Sequence, residues 1–192
     1  SDGVRDGVWS SRHHAESDRW FDAGRANTSD ASAANVRAAV DYYGDVTAVW
    51  SEQNGATTNI WANRYASALG RWDDAGLIET SDVGNADAPD VKVDSMRNAI
   101  AVWQQHTGTR TTIFANRFSF SAQRWGDAGI IDTDGAGDSF GPHVGIDNFG
   151  NAVAVWYRVT GGRSTIWANR FVSDGGGTWG DAGRIEANDA GV

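Results

Sequence analysis

The chain has 192 residues and a formal net charge of −9, from 25 acidic against 16 basic residues. An acidic surface without a basic run argues against nucleic acid or an anionic membrane as the main partner, and no apolar stretch approaches the roughly 20 residues of a membrane-spanning helix. Cysteine is absent, which excludes a disulfide framework and a thiolate metal site.

In chain order, the first element is VWSSRHHAESDRWFDAG, ending at Gly24. It returns as IWANRYASALGRWDDAG to Gly76, IFANRFSFSAQRWGDAG to Gly129 and IWANRFVSDGGGTWGDAG to Gly183. Between these copies lie three versions of a second element, ending at Trp50, Trp103 and Trp156, which are 53 residues apart each time. A fixed period of this size signals a repeat architecture.

The middle period shows the strands. Asp90 to Asp94 alternates polar and apolar residues, as a half-buried strand does. A turn at Ser95 to Asn98 follows, then Ala99 to Trp103, apolar on both faces and so sandwiched between layers. Thr111 to Phe118 is a third strand, a variable turn runs to Trp125, and Ala128 to Asp132 is a fourth strand. No segment carries a helical period. Four antiparallel strands per 40 to 50 residues is the pattern of a β-propeller blade, with a stacked solenoid as the alternative.

The expected fold is therefore all-β: a propeller of about four four-stranded blades, the first incomplete. Residues 1–192 read as a single repeat domain, with a half blade over 1–25 and blades over about 26–80, 81–133 and 134–188. The chain opens mid-repeat, so it reads as a truncated four-blade ring or part of a larger propeller. An unpaired blade edge invites self-association.

Ser173 to Trp179 resembles the Asp-box of sialidase-like propellers, Ser-x-Asp-x-Gly-x-Thr-Trp. Asp174, Gly176, Thr178 and Trp179 match, and Val172 replaces the leading Ser. The other copies keep only the Trp. Pro142 to Trp156 and Pro89 to Trp103 also resemble tandem repeats of large secreted bacterial proteins. The resemblance implies a propeller and a secreted or cell-surface setting. It carries no shared chemistry, since propellers host many functions.

Two repeated residue sets are candidate ligand contacts. Arg12, Arg64, Arg117 and Arg170 recur on the third strand, on the face of Ile113 and Ala115. A guanidinium fork suits carboxylates and sugar hydroxyls; the structural alternative is an Arg satisfied by backbone carbonyls or by the Asp of the Trp-x-Asp pattern. Trp20, Trp72, Trp125 and Trp179 follow a turn, where an exposed indole can stack on a sugar ring or can lock the blade. Trp50, Trp103 and Trp156 are expected in the core.

Asp82 and Asp87, and Asp134 and Asp138, are weak calcium candidates, because hard oxygen ligands recur in two loops; Asp also simply makes turns. No other cofactor or metal is expected: the His13–His14 pair has no third ligand placed by sequence. A sialidase catalytic set and a Ser-His-Asp order cannot be placed. The expected function is non-enzymatic, lectin-like carbohydrate binding, with a scaffold or protein-interaction propeller as the alternative. A glycoside hydrolase fragment is the third reading.

Overall fold

The computed structural model describes residues 6–14, 16–81 and 83–186. Its first unit contributes four two-residue strands: β1 (Trp9–Ser10), β2 (His13–His14), β3 (Arg19–Trp20) and β4 (Gly24–Arg25). Sheet I follows as β5 (Ala33–Val40), β6 (Val46–Asn54), β7 (Thr57–Ala66), β8 (Arg71–Trp72) and β9 (Gly76–Leu77). Sheet II is β10 (Ala86–Val93), β11 (Ala99–His106), β12 (Thr111–Ser119), β13 (Arg124–Trp125) and β14 (Gly129–Ile130). Sheet III is β15 (Asp138–Ile146), β16 (Ala152–Thr160), β17 (Arg163–Val172), β18 (Thr178–Trp179) and β19 (Gly183–Arg184), with a short 3-10 turn at Asp174–Gly176. Among the described residues there is no α-helix.

Each sheet is an antiparallel meander in one shared register. Trp50 faces Trp61, Trp103 faces Phe114 and Trp156 faces Trp167 across the second and third strands. The expected alternation of buried and half-buried positions does not appear in β10, where Asp90 and Val91 are both buried and Lys92 and Val93 both half-buried because the strand is packed on both sides, whereas β11 is buried on both faces from Ala99 to Trp103 as expected. The sheets stack face to face, with β10 lying against both β5 and β15. A strand apolar on both sides is stable only in that setting. This is the stacking of propeller blades.

The first strand carries the same bulge in each sheet, at Ala34/Arg37, Asp87/Asp90 and Phe140/His143. The extra residue is left-handed each time: Asn35 (φ 52), Ala88 (φ 50) and Gly141 (φ 59). A bulge of this kind bends the strand and increases its twist.

The fourth strand is not continuous. Two two-residue pieces, such as β13 and β14, both pair with β12, and Gly126 to Ala128 bows out between them. The cause is a buried asparagine on the third strand. The Asn116 amide donates to the Gly126 carbonyl at 3.0 Å and to the Ile78 carbonyl of sheet I at 2.8 Å. Asn63 and Asn169 repeat this, on Asp73 and Ala26 and on Gly180 and Ile131. The carbonyl in the bow thus turns to the side-chain amide instead of a ladder partner.

The core lies between the sheets. Val8 and Ala26 meet Ala48 and Trp50. Val49, Ile60 and Ile78 meet Ala99, Ala101 and Trp103. Ile100, Val102, Ile113 and Ile131 meet Ala152, Ala154 and Trp156. At every junction the aliphatic side chains of the leaving face cover a Trp and small residues of the arriving face. Trp50, Trp103 and Trp156 are buried, as expected of core residues.

One buried polar pair also crosses each junction, and its chemistry differs every time. Glu52 accepts from Ser29 at 2.5 Å and from Trp50 Nε1 at 2.9 Å beside Asn27. Gln105 donates to Glu79 and accepts from Trp103 Nε1 at 3.1 Å. Arg158 pairs with Asp132 and Asp134. Arginine has no acceptor, so Trp156 Nε1 is left buried without a partner.

Candidate functional site

A groove of about 540 Å3 opens between sheets II and III, lined among others by Arg117, Arg124, Trp125, Asp127, Phe171 and Trp179. Three of the repeated candidates, Arg117, Trp125 and Trp179, therefore meet in one place. The third strands supply Arg117 and Phe171; the broken fourth strands supply Trp125 and Trp179. Each indole is braced by a ring of its own third strand. Trp125 lies 5.7 Å from Phe118 at 63°, and Trp179 lies 5.5 Å from Phe171 at 57°. Both stay partly exposed. The Arg117 guanidinium is 5.9 Å from the Phe171 centroid, so it crosses from one sheet to the next.

Sheets II and III differ just after their third strands. Phe120 sits just after the third strand of sheet II, 4.0 Å from the Arg97 guanidinium and 5.6 Å from that of Arg64. The matching residue in sheet III is Ser173, followed by a turn that brings Gly176 and Gly177 to the groove wall. Gly177 has φ 81, and a Cβ there would come within 2.3 Å of Phe171 Cζ. Only glycine lets the Phe171 ring lie flat under the turn.

The other candidates lie outside this groove. The Trp72 indole donates to Ser10 Oγ at 2.8 Å and packs against Tyr65 at 5.6 Å. Trp20 is exposed, 5.2 Å from the His13 ring. Arg12 is exposed and lies 5.2 Å over Phe21. Arg170 is exposed on the outer face of sheet III. Arg64 sits 4.3 Å over Phe118, donates to the Arg97 carbonyl at 3.2 Å and lies 3.8 Å from Asp45. Burial lowers its pKa from the ordinary arginine value, against the pull of Asp45 and Asp41. Its described ion-pair partner is thus Asp45, outside the Trp-x-Asp pattern.

The calcium candidates hold protein donors. Asp87 accepts from Asn35 at 2.6 Å, Asp134 pairs with Arg158, and Asp138 accepts from the Thr111 amide at 2.7 Å. Asp82 lies outside the described residues. Among the described residues no three His, Asp or Glu side chains are grouped to hold a metal ion. His13 bonds Asp18 at 3.0 Å and His14 bonds Ser17 at 2.9 Å.

Two features escaped the sequence reading. The repeated asparagine between Ala and Arg was a visible signal, since asparagine is disfavoured inside strands. Arg97 is the other. It stands at φ 69 where the matching turns have Gly44 and Gly150, and it clamps Asp41 at 3.2 Å and Asp45 on sheet I. Burial pushes the Asp45 carboxyl up, but the Ser67 amide and hydroxyl and the Arg97 charge outweigh it and leave the pKa lowered.

No family model matches the chain, and no curated protein matches it. Among solved structures it is similar to the polysaccharide lyase Uly1, with a TM-score of 0.53 and 8% identity over 81% of this chain and 43% of that one. The chain therefore spans less than half the length of that lyase. An endo-arabinase from Bacteroides thetaiotaomicron VPI-5482 aligns over 88% of this chain and 70% of its own, at 13% identity and a TM-score of 0.45. These likenesses concern the fold alone, and the fold is an all-β propeller type. Among the described residues no helix is long and apolar enough to cross a membrane.

Proposed function

We propose that the chain is a non-enzymatic carbohydrate-binding propeller module, with the groove between sheets II and III as its sugar site. The carrying observation is that Trp125 and Trp179 line one groove together with Arg117, Arg124 and Asp127. An indole face suits the C–H face of a pyranose. Guanidinium and carboxylate groups around it suit hydroxyl or uronate oxygens. The fold's likeness to the polysaccharide lyase Uly1 agrees with a carbohydrate ligand. The secreted or cell-surface setting implied by the Asp-box resemblance belongs to the same proposal.

The test is a glycan array followed by calorimetry on the best oligosaccharide. Binding is expected to weaken at least tenfold in Trp179→Ala and in Arg124→Ala. The second variant guards against loss of packing, because Arg124 is exposed. No binding to neutral and acidic panels would overturn the reading. A protein-interaction role is the second reading, favoured by the exposed Val153 and Ile166 on the outer face of sheet III.

A further inference from the structure

Arg64 and Arg117 hold the same place on two successive sheets, and their surroundings differ group by group. Each lies over a ring of the following sheet, Arg64 at 4.3 Å from Phe118 and Arg117 at 5.9 Å from Phe171. Arg64 has three further neighbours. The Asp45 carboxylate of its own sheet stands 3.8 Å away, the Arg97 carbonyl accepts from it at 3.2 Å, and the Phe120 ring lies at 5.6 Å.

The repeat identifies the matching residues around Arg117. The Asn98 amide donates to Asp94 as the Asp45 amide does to Asp41, so a neutral Asn98 stands where Arg64 has its carboxylate. Gly150 stands in the place of Arg97, left-handed like it. Ser173 stands in the place of Phe120, since their backbone amides donate to Asn151 and Asn98 respectively. The Asn98 side chain is already engaged, donating to Asp94 at 2.8 Å and accepting from Phe120 at 3.0 Å. Among the described residues the Arg117 guanidinium has neither a hydrogen bond nor an ion pair. One arginine of the repeat keeps a carboxylate of its own sheet, and the next has none.

Arg117 is half-buried, and a guanidinium presents five N–H donors in a planar fork. A carboxylate that takes two of them at once is its strongest partner. Asp127 lines the same groove but forms no ion pair with Arg117 or with Arg124. Two arginines against one aspartate make the described groove lining locally positive on a chain of net charge −9.

We propose that the sugar bound in this groove is a uronic acid, and that its carboxylate takes at Arg117 the place that Asp45 has at Arg64. The proposal rests on the reading of the groove as a sugar site and names the class of sugar. A carboxylate is the ligand group because that is what the repeat itself sets against the equivalent arginine. The overall negative charge repels a polyanion at long range, so the preference arises from contact with the guanidinium groups.

The experiment is calorimetry of the whole chain with oligosaccharides of galacturonic, glucuronic and mannuronic acid, each as the free acid and as its methyl ester, and with a neutral glucan oligosaccharide. Acid and ester share every ring and differ in the charge of the carboxyl group. At least one free acid is expected to bind about tenfold or more tighter than its ester. Arg117→Gln should bring that ratio close to one. Arg117→Lys, which keeps the charge without the fork, should leave an intermediate ratio and serves if the first variant misfolds by circular dichroism. Trp179→Ala should weaken acid and ester alike and leave the ratio unchanged. The ratio is the readout that loss of packing alone does not move. Equal binding of acid and ester, preference for the neutral oligosaccharide, or an acid preference that survives both Arg117 variants would overturn this proposal and leave the sugar site standing. Binding of none of these oligosaccharides would overturn both.

Discussion

The Asn116 side-chain amide lies 2.8 Å from the Ile78 carbonyl, joining residues 38 apart in sequence and on different sheets. Its second hydrogen reaches Gly126 at 3.0 Å, and its oxygen accepts from the Arg117 amide at 2.7 Å. One buried side chain holds a junction, a strand break and its own strand. Asn116→Ala would leave the buried Ile78 carbonyl unpaired, while the Gly126 carbonyl, on an exposed residue, can turn to water. An orphaned buried group costs about 1–3 kcal/mol, so a loss of that size is expected in urea unfolding. Asn116→Asp, which cannot donate to carbonyls, should be no milder.

The junction between sheets II and III rests on Arg158 facing Asp132, both fully buried. Removing one member of such a pair costs about 3–5 kcal/mol, because a charge stays behind without its partner. Asp132→Asn is therefore expected to lower the urea midpoint sharply. Asp132→Glu with Arg158→Gln copies the Glu79–Gln105 pair of the preceding junction. The double variant also offers Trp156 Nε1 an acceptor, as Gln105 does for Trp103. It should unfold within about 1 kcal/mol of the wild type, a coupling that a double-mutant cycle would read directly.

The bulge position tells glycine from alanine. Ala88 stands left-handed at φ 50, which costs a residue with a Cβ about 1–2 kcal/mol. Ala88→Gly relieves that strain and gives back part of it as chain entropy, so a rise in melting temperature is expected. Gly141→Ala runs the other way: at φ 59 its Cβ would also stand 3.1 Å from Tyr157 Cε1. Calorimetry of the two single variants should show shifts of opposite sign.

Acid should act through Asp45. Its pKa is lowered in the folded chain, so its contribution is complete above the unfolded value of about 3.9 and is lost as pH falls through the lower folded value. Urea midpoints of the wild type should drop below about pH 4. Asp45→Asn should be less stable than the wild type at pH 7, and the two curves should converge near pH 2. Loss of Asp45 also leaves Asp41 as the carboxylate that holds Arg97 between sheets I and II.

Much of the scaffold could be read without coordinates. The spacing of Trp50, Trp103 and Trp156 marks equivalent strands, because identical side chains at a constant interval occupy equivalent places in a repeated unit. The turns at Asp41, Asp94 and Asp147 follow from local chemistry: each carboxylate takes the amides two and four residues on. Of the fourth strand only the second piece, Gly129–Ile130, was legible; the first piece and the break were not, because an asparagine on the neighbouring strand holds the carbonyl between them. Arg97 was equally hidden, since its partners Asp41 and Asp45 lie on another sheet.

Repetition alone determined that this chain builds like sheets from like strands and buries tryptophan between them, since short-range pairing and burial depend on pattern. The tertiary structure decided which copies of a repeated residue are open to a ligand. Trp125, Trp179 and Arg117 share a groove because the packing of sheet III on sheet II brings them to one place. The Asn27–Glu52, Glu79–Gln105 and Asp132–Arg158 contacts were likewise invisible in the sequence. Their members lie 25 or 26 residues apart and change identity at every junction, so only packing brings them face to face.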